Sequence, residues 1–407
     1  MQRTKIGVFF GGQSPEHEVS VITGLQAAAA MNPAQFDVIP IYVTKAGHWF
    51  WGEDLGKIES YKNIPALLKK STEVSIAPGS GRTLALIPRE AAVFGRKKEI
   101  TIDVAFLAFH GGAGENGAVQ GICEAMNVPY TGSGVGASAI GMDKVMAKKV
   151  CHLAGIPVVE WVEVWESDWR SKEETQLNEI ESKLEYPVIV KPGRLGSSIG
   201  ISKVNHRAEL DGAIEEAFRY DVSVVVERCI PNLREINCSV LGSKQETQVS
   251  VMEEPVSADG VLSFKDKYMR PGSTSKHSGS KAENVSSAEG MASLDRLIPA
   301  PISDDLKTRI GDLAQKIFLE LDCSGLVRID FLMNNDTQEV WFNEINTIPG
   351  SLSFYLWKPS GIAFDKLVER LINLAVAKFE DRSRRVRSYD VNLLAERSAG
   401  GLKGGKS

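Results

Sequence analysis

Apolar positions along this chain switch repeatedly between a strand-like and a helix-like period. KIGVFF (5–10) is a short continuous apolar run, followed by a helical pattern in VSVITGLQAAAAM (19–31) and a second run, FDVIPIYV (36–43). A strand, a helix and another strand in that order predict a parallel sheet with helices packed over it. DVAFLAFH (103–110) is a further buried strand that runs into GGAGENGAVQG, with a helix expected from Ala118 through CEAM. Past Tyr130, TGSGVGASAIGMDK reads as a linker feeding a helix, which places a boundary at Asp143.

A second rhythm follows: helix, strand PVIVKP (187–192), glycine-rich loop, helix RAELDGAIEEAF (207–218), and strands VSVVVERCI (222–230) and EINCSVLG (235–242). That is an α+β arrangement. The stretch 264–292 is rich in Ser, Gly, Lys and Glu, and a polar loop of that length predicts either a lid or a disordered segment. Beyond it come the helix SDDLKTRIGDLAQKIFLEL, the strands GLVRIDFLM and EVWFNEIN, and the helix FDKLVERLINLAVAKF. The expected units are therefore 1–143, 144–228 and 229–379, with 380–407 as a charged, then Gly/Lys-rich mobile tail. No internal repeat is visible.

Charge and cysteine usage remove several function classes. The 407 residues carry 47 basic and 52 acidic side chains, a net charge of −5, so no basic field invites nucleic acid or an anionic membrane. Five cysteines, odd in number and without a CxxC pair, indicate neither a disulfide framework nor a zinc site. No apolar run approaches 18 residues and MQRTKIGVFFGG lacks the apolar stretch of a signal peptide, so a cytoplasmic protein is expected.

Two segments carry candidate chemistry. KPGRLGSSIG (191–200) follows an apolar strand with a lysine, three glycines and two serines. Backbone N–H groups freed by glycine can converge on a phosphate while Lys191 supplies a point charge. The spacing is not that of a Walker loop, so the segment reads as a flap, and a hairpin turn with a solvated lysine is the plainer alternative. The second segment pairs RID (328–330) with NEIN (343–346) across the short connection NNDTQ. Residues two apart share a strand face, so Arg328 and Asp330 point one way on their strand, as do Glu344 and Asn346 on theirs. Two buried carboxylates side by side call for a cation, and an all-oxygen donor set favours Mg²⁺ or Mn²⁺ over zinc. A surface hairpin with scattered carboxylates is the alternative here.

Seven ordered blocks then establish a resemblance over residues 4–375: GGQSPEHEVS (11–20), HGGAGENGAVQG (110–121), PYTGSGVGASAIGMDK (129–144), KPGRLGSSIG, FKDKYM (264–269), RIDF (328–331) and NEINTIPG (343–350). Together they resemble the D-alanine–D-alanine ligases of the ATP-grasp superfamily. The resemblance implies an N-terminal open parallel α/β domain (1–143) followed by a two-lobed ATP-grasp domain. Its small lobe (144–228) would bear the flap, and its large lobe (229–379) the metal site and the lid.

Residue by residue, the resemblance implies phosphate-binding Lys144 and Lys191, with Ser197 in the flap and Lys267 and Tyr268 reaching in from the lid. Glu227, Arg228 and Ile230 would recognise adenine and Glu235 the ribose. Asp330, Glu344 and Asn346 would hold two Mg²⁺ or Mn²⁺, and Arg328 with the backbone of Gly350 would surround the acyl phosphate and tetrahedral intermediate. Glu16 would hold the ammonium of the first D-alanine, with His110 and Glu115 near the same pocket. ATP and two D-alanines would give D-alanyl-D-alanine for peptidoglycan precursors, made by a cytoplasmic homodimer. Bland roles stay open beside these: a core or capping histidine for His110, a first-turn acid for Glu16, a solvated basic loop around Lys267 and Tyr268.

One departure bears on the acceptor. In SLSFYLWKP (351–359) the position before Leu356 is Tyr355, where the family block has a serine that helps to hold the second substrate's carboxylate. Tyr355 and Leu356 are accordingly expected at the acceptor, with D-serine, D-lactate or another amine or hydroxy acid as the alternative second substrate. A nucleotide-binding protein without catalysis would show broken metal ligands or a missing arginine, and neither is seen. A dinucleotide oxidoreductase lacks GxGxxG after GVFFGG.

Overall fold

The computed structural model describes residues 3–89, 99–256 and 296–386. In the first unit β1 (Thr4–Gly11), β2 (Phe36–Val43), β3 (Trp49–Trp51), β4 (Thr72–Pro78), β5 (Leu84–Pro88), β6 (Ile100–Ile102) and β7 (Val104–Leu107) form one sheet ordered β6-β5-β4-β3-β2-β1-β7. Only β2, β1 and β7 are parallel neighbours; β2 through β6 pair antiparallel. The expected open α/β unit is thus present, its parallel strands β2, β1 and β7 extended by antiparallel ones. The half missed consists of short strands such as TEVSIAP, with one fully buried side chain, too weakly patterned to read.

A second sheet, β10-β9-β11-β8, is built from β8 (Trp161–Trp165), β9 (Val188–Pro192), β10 (Ser202–Val204) and β11 (Ser223–Arg228). Helices Glu166–Lys183 and Arg207–Phe218 cover it, and a core of Val162, Trp169, Leu210 and Val226 seals it. The third, β13-β12-β16-β17, joins β12 (Leu233–Gly242), β13 (Thr247–Val249), β16 (Gly325–Asn334) and β17 (Val340–Asn346). Between them in sequence lie the short partners β14 (Glu254–Pro255) and β15 (Arg296–Leu297).

Three segments sit elsewhere than expected. The supposed linker after Tyr130 contains a helix, Val135–Met142, despite its glycines. Close packing accounts for one of them: a Cβ on Gly141 would stand 2.8 Å from Thr347 Cγ2. Helix Lys144–Leu153 puts Ala147 and Cys151 into the core of the third sheet, not the second. Helix Phe364–Ser383 packs Leu367, Val368, Leu371 and Ile372 into the first core and runs three residues past Glu380, where a tail was expected. The lid 264–292, with Lys267 and Tyr268, and residues 387–407 of the tail lie outside the described residues.

Candidate active site

The third sheet supplies the centre. β16 and β17 pair antiparallel, with Arg328 opposite Asn346 and Asp330 opposite Glu344, so four polar side chains meet on two adjacent strands. Arg328 donates from Nε and Nη2 to the two oxygens of Asp330, both at 2.7 Å, and Asn346 Nδ2 donates to Asp330 Oδ2 at 3.3 Å. Burial would pull the guanidinium pKa down, but Asp330 outweighs it and raises it well above the usual value. Directly after Asp330 the register slips: Phe331 pairs with Phe342, leaving Asn343 as the extra residue of a bulge. The bulge re-aims Asn343, whose Oδ1 accepts from Lys191 Nζ at 3.1 Å.

Two cavities share this centre. A cleft of about 690 Å³ is lined from the second sheet by Ile189, Lys191, Lys203 and Glu227, and from the third by Leu332, Asn343 and Glu344. Lys144, Arg228, Ile230, Glu235 and Asp330 also face it. A second cavity, of about 60 Å³, is lined by Glu16, His110, Glu115, Ser197, Arg328, Asn346 and Gly350. Glu235, Asp330 and Glu344 belong to both walls. The first volume suits a drug-sized or nucleotide-sized ligand and the second a molecule of few atoms.

Cations arrive from β9 and from helix Lys144–Leu153. Lys144 Nζ donates to Leu195 O at 2.5 Å and lies 3.5 Å from Glu344 Oε2. Lys191 donates to Glu227 Oε2 at 2.7 Å, and Lys148 Nζ approaches Glu227 Oε1 at 3.2 Å, with Lys148 wholly buried. Burial alone would raise the Glu227 carboxyl, but Lys148 and then Lys191 hold it down at about 2. Burial pushes the Lys148 ammonium below its ordinary value, with Glu227 opposing. Lys148 was absent from the expected set, although it stands four residues after Lys144 on one helix face, a spacing the sequence does display.

The glycine loop closes over the small cavity. Ser197 and Ser198 have φ of +59° and +57°, and Gly200 +71°. Ser197 Oγ donates to Glu16 Oε1, and a Cβ on Gly196 would sit 3.1 Å from Glu16 Oε2. Glu16 directly precedes helix His17–Ala30 of the first unit without a side-chain capping bond, so flap and first unit meet at one carboxylate.

Two buried groups tie the floor. Glu115 Oε1 accepts from Ile348 N at 3.0 Å, and Oε2 from Gly111 N at 2.9 Å. Burial, then the nearby Glu16, pushes the Glu115 carboxyl up to about 7. His110 Nε2 lies 2.7 Å from Thr23 Oγ1, which accepts from Ser351 N at 3.0 Å. Burial lowers the His110 imidazole to about 4 against the opposing hydrogen bond to the Ile348 backbone. Ser351, Leu352 and Ser353 all have φ near +50°, so these anchors hold a strained turn just after Gly350.

The two residues expected at the acceptor stand back from both cavities. Leu356 is fully buried, and neither it nor Tyr355 lies on the wall of either cavity. Tyr355 instead points its hydroxyl at Glu253, 3.4 Å away, under the guanidinium of Arg296. The residues that reach the wall beside it are Glu253 and Arg296.

Known proteins share this sequence pattern and fold. The family model described as D-ala D-ala ligase N-terminus matches residues 5–133, and that described as D-ala D-ala ligase C-terminus matches residues 150–373. The D-alanine–D-alanine ligase of Thermosipho melanesiensis is 39% identical over 389 residues, 96% of this chain and 98% of that protein. That of Geobacillus kaustophilus is 39% identical over 385 residues, 93% of this chain and 96% of the other. Among solved structures, the D-alanine–D-alanine ligase of Coxiella burnetii superposes with a TM-score of 0.75 at 26% identity, covering 94% of this chain and 97% of that one. The VanG D-Ala:D-Ser ligase of Enterococcus faecalis gives 0.74 at 33% identity, covering 92% and 100%. The chain belongs to the D-alanine–D-alanine ligase family and has its ATP-grasp fold.

Proposed function

We propose that this protein joins two D-alanines at the expense of ATP, releasing ADP and phosphate, in the cytoplasmic synthesis of peptidoglycan precursors. One observation carries the reading: a nucleotide-sized cleft and a small acidic cavity share Glu235, Asp330 and Glu344, with Arg328 beside them. A phosphoryl group at that boundary would be within reach of a substrate in the small cavity.

ATP would lie in the cleft, its base near Glu227, Arg228 and Ile230, its ribose near Glu235, and its phosphates under Lys144 and Lys191. Asp330, Glu344 and Asn346 fit two divalent cations by their all-oxygen chemistry; bound there, Mg²⁺ or Mn²⁺ would neutralise phosphate charge. Arg328 is seated in the same cluster, already paired with a carboxylate as it would be beside a metal-bound one. Glu16 would hold the ammonium of the first D-alanine, whose carboxylate attacks the γ-phosphate to give an acyl phosphate. The amine of the second then displaces phosphate, with Arg328 and the Gly350 N–H facing the developing negative charge. These residues orient and stabilise, which is what phosphoryl transfer asks of a protein. Ser197 on Glu16 keeps water from the acyl phosphate. Lys267 and Tyr268 join from the lid by family likeness, as does assembly into a homodimer.

Purified protein given Mg-ATP and D-alanine should release ADP and form dipeptide, with L-alanine and D-lactate as inactive controls. No ADP release with D-alanine would end the reading. A second reading, D-serine as acceptor, is favoured by Tyr355 in the place of serine and by the likeness to a D-Ala:D-Ser ligase. Products from a panel of amines and hydroxy acids decide between the two.

A further inference from the structure

Lys148 takes no part in the reaction proposed above, yet it is a fixed charge in the interior. It is wholly buried, lies on neither cavity wall, and stands one turn after Lys144 on the same helix face. Neither helix nor core asks for it there. Like charges four residues apart oppose a helix, and a buried ion pair is often no more stable than apolar side chains of the same volume. Its counterion is Glu227 on β11, with 3.2 Å from Nζ to Oε1.

The effect of this charge falls on the large cleft. Glu227 divides its oxygens between two lysines: Oε2 accepts from Lys191 at 2.7 Å, while Oε1 faces Lys148. Burial works against the ionised carboxyl, and Lys148, ahead of Lys191, restores it. The three side chains sum to a net positive charge. Lys148 is 0% exposed, whereas Lys191 opens on the cleft at 7%, so the surplus is offered where Lys191 stands. Without Lys148, Lys191 and Glu227 would make a neutral pair. Asn343 on β17 accepts from Lys191 Nζ at 3.1 Å through an uncharged oxygen, which fixes the ammonium without cancelling it. Among the described residues, carboxylates on the cleft wall outnumber basic side chains, a poor field for a chain of phosphates unless the remaining cations keep their charge.

We propose that Lys148 is a positioning residue that balances Glu227 from behind and so leaves the charge of Lys191 to the phosphates of a bound nucleotide. The inference rests on the nucleotide cleft of the ligase reading and deepens it. Lys148 meets neither base nor phosphate; it acts through Glu227.

The test compares Mg-ADP with adenosine, which share base and ribose and differ in phosphate. Mg-ADP is titrated calorimetrically into the purified protein without D-alanine, and adenosine is measured by displacement of Mg-ADP. The readout is the adenosine Kd divided by the Mg-ADP Kd. Lys148→Met should lower that ratio roughly 10-fold, the size of one weakened charge-assisted contact. A merely structural role would weaken both ligands alike and leave the ratio where it was. The double variant Lys148→Met/Glu227→Gln gives Lys191 its charge back and should return the ratio to within about threefold of wild type, whatever it does to binding of the base. An unchanged ratio in folded Lys148→Met overturns the inference, as does a double variant whose ratio stays as low as that of the single one. Should Lys148→Met fail to fold, the double variant, which removes the buried pair whole, decides alone: a ratio roughly 10-fold below wild type overturns the inference. Wild type that binds neither ligand, or binds adenosine as tightly as Mg-ADP, overturns the nucleotide reading itself, and this inference with it.

Discussion

At the scale of single residues, the site is a set of buried charges whose protonation is set by position. Asp330 and Glu344 face each other across β16 and β17, and replacing either by its amide removes a charge but little volume. Asp330→Asn and Glu344→Gln should each lower D-alanine-dependent ADP release on the order of 10³-fold, as loss of a catalytic ion does. Retained turnover would place the metal elsewhere. Glu115 gives a pH signature. Its folded pKa of about 7 exceeds the ordinary 4.5, so its contribution to stability is fully present below pH 4.5 and is lost as pH rises through 7. His110 runs the other way: held at about 4 against 6.5, it favours the fold above pH 6.5 and opposes it as pH falls toward 4. The two slopes offset each other between pH 4.5 and 6.5. Glu115→Gln should unmask the histidine, so urea unfolding should show the wild-type advantage over the variant shrinking by about 3 kcal/mol between pH 4.5 and 7. A constant difference would make Glu115 an ordinary carboxylate. Arg328, Asp330, Glu344 and Asn346 were legible because strand alternation alone places them. Glu253 and Arg296 were not, since their meeting depends on the ring of Tyr355 and on a two-residue ladder.

Elements set how these residues move. The flap leaves β9 after Pro192 and returns through Gly200, whose φ of +71° is closed to most side chains. A Cβ there would stand 2.9 Å from both Pro192 Cγ and Tyr220 Cδ2. Gly200→Ala should therefore cost the closed flap about 1–2 kcal/mol and admit water to the acyl phosphate. The expected readout is more than one ADP released per dipeptide, with a raised KM for ATP. A ratio held at one with unchanged KM would show that the loop is not the gate. The elements that sequence alone revealed are those with strong period or composition: FDVIPIYV and RAELDGAIEEAF fall on β2 and on a helix at those bounds. Helix Val135–Met142 was hidden because its glycines and serine have poor helix propensity, overridden by packing of Ala137, Ser138 and Gly141. The bulge that frees Asn343 leaves no sequence mark at all.

On the scale of the whole molecule, the three sheets are not equally joined. The first and third are bound by Glu115 to Ile348, by Thr23 to Ser351, and by helix Phe364–Ser383 lying on the first core. The second sheet has a separate core, smaller than the other two, and meets them through Lys144, Lys191, Asn343 and the contact of Ser197 with Glu16. Beside a small apolar cluster of Val159, Ile230 and Leu332, these are polar contacts around a cleft of about 690 Å³, so only a modest apolar area resists their parting. Subglobal opening should thus begin with β8 to β11, at a free energy below that of global unfolding. A nucleotide bound in the cleft would touch both walls and, if it binds the joined state alone, would stabilise it by about 2.7 kcal/mol at a hundredfold excess over Kd. Hydrogen exchange followed by mass spectrometry should show the amides of β9 and β11 exchanging faster than those of β12 and β16 in the free protein. A nonhydrolysable Mg-ATP analogue should slow the second sheet by roughly two orders of magnitude and leave β1 and β2 nearly unchanged. Equal protection of all three sheets in the free protein, or protection gained only in the first, would mean that the nucleotide does not bridge the cleft from which the ligase reading is drawn.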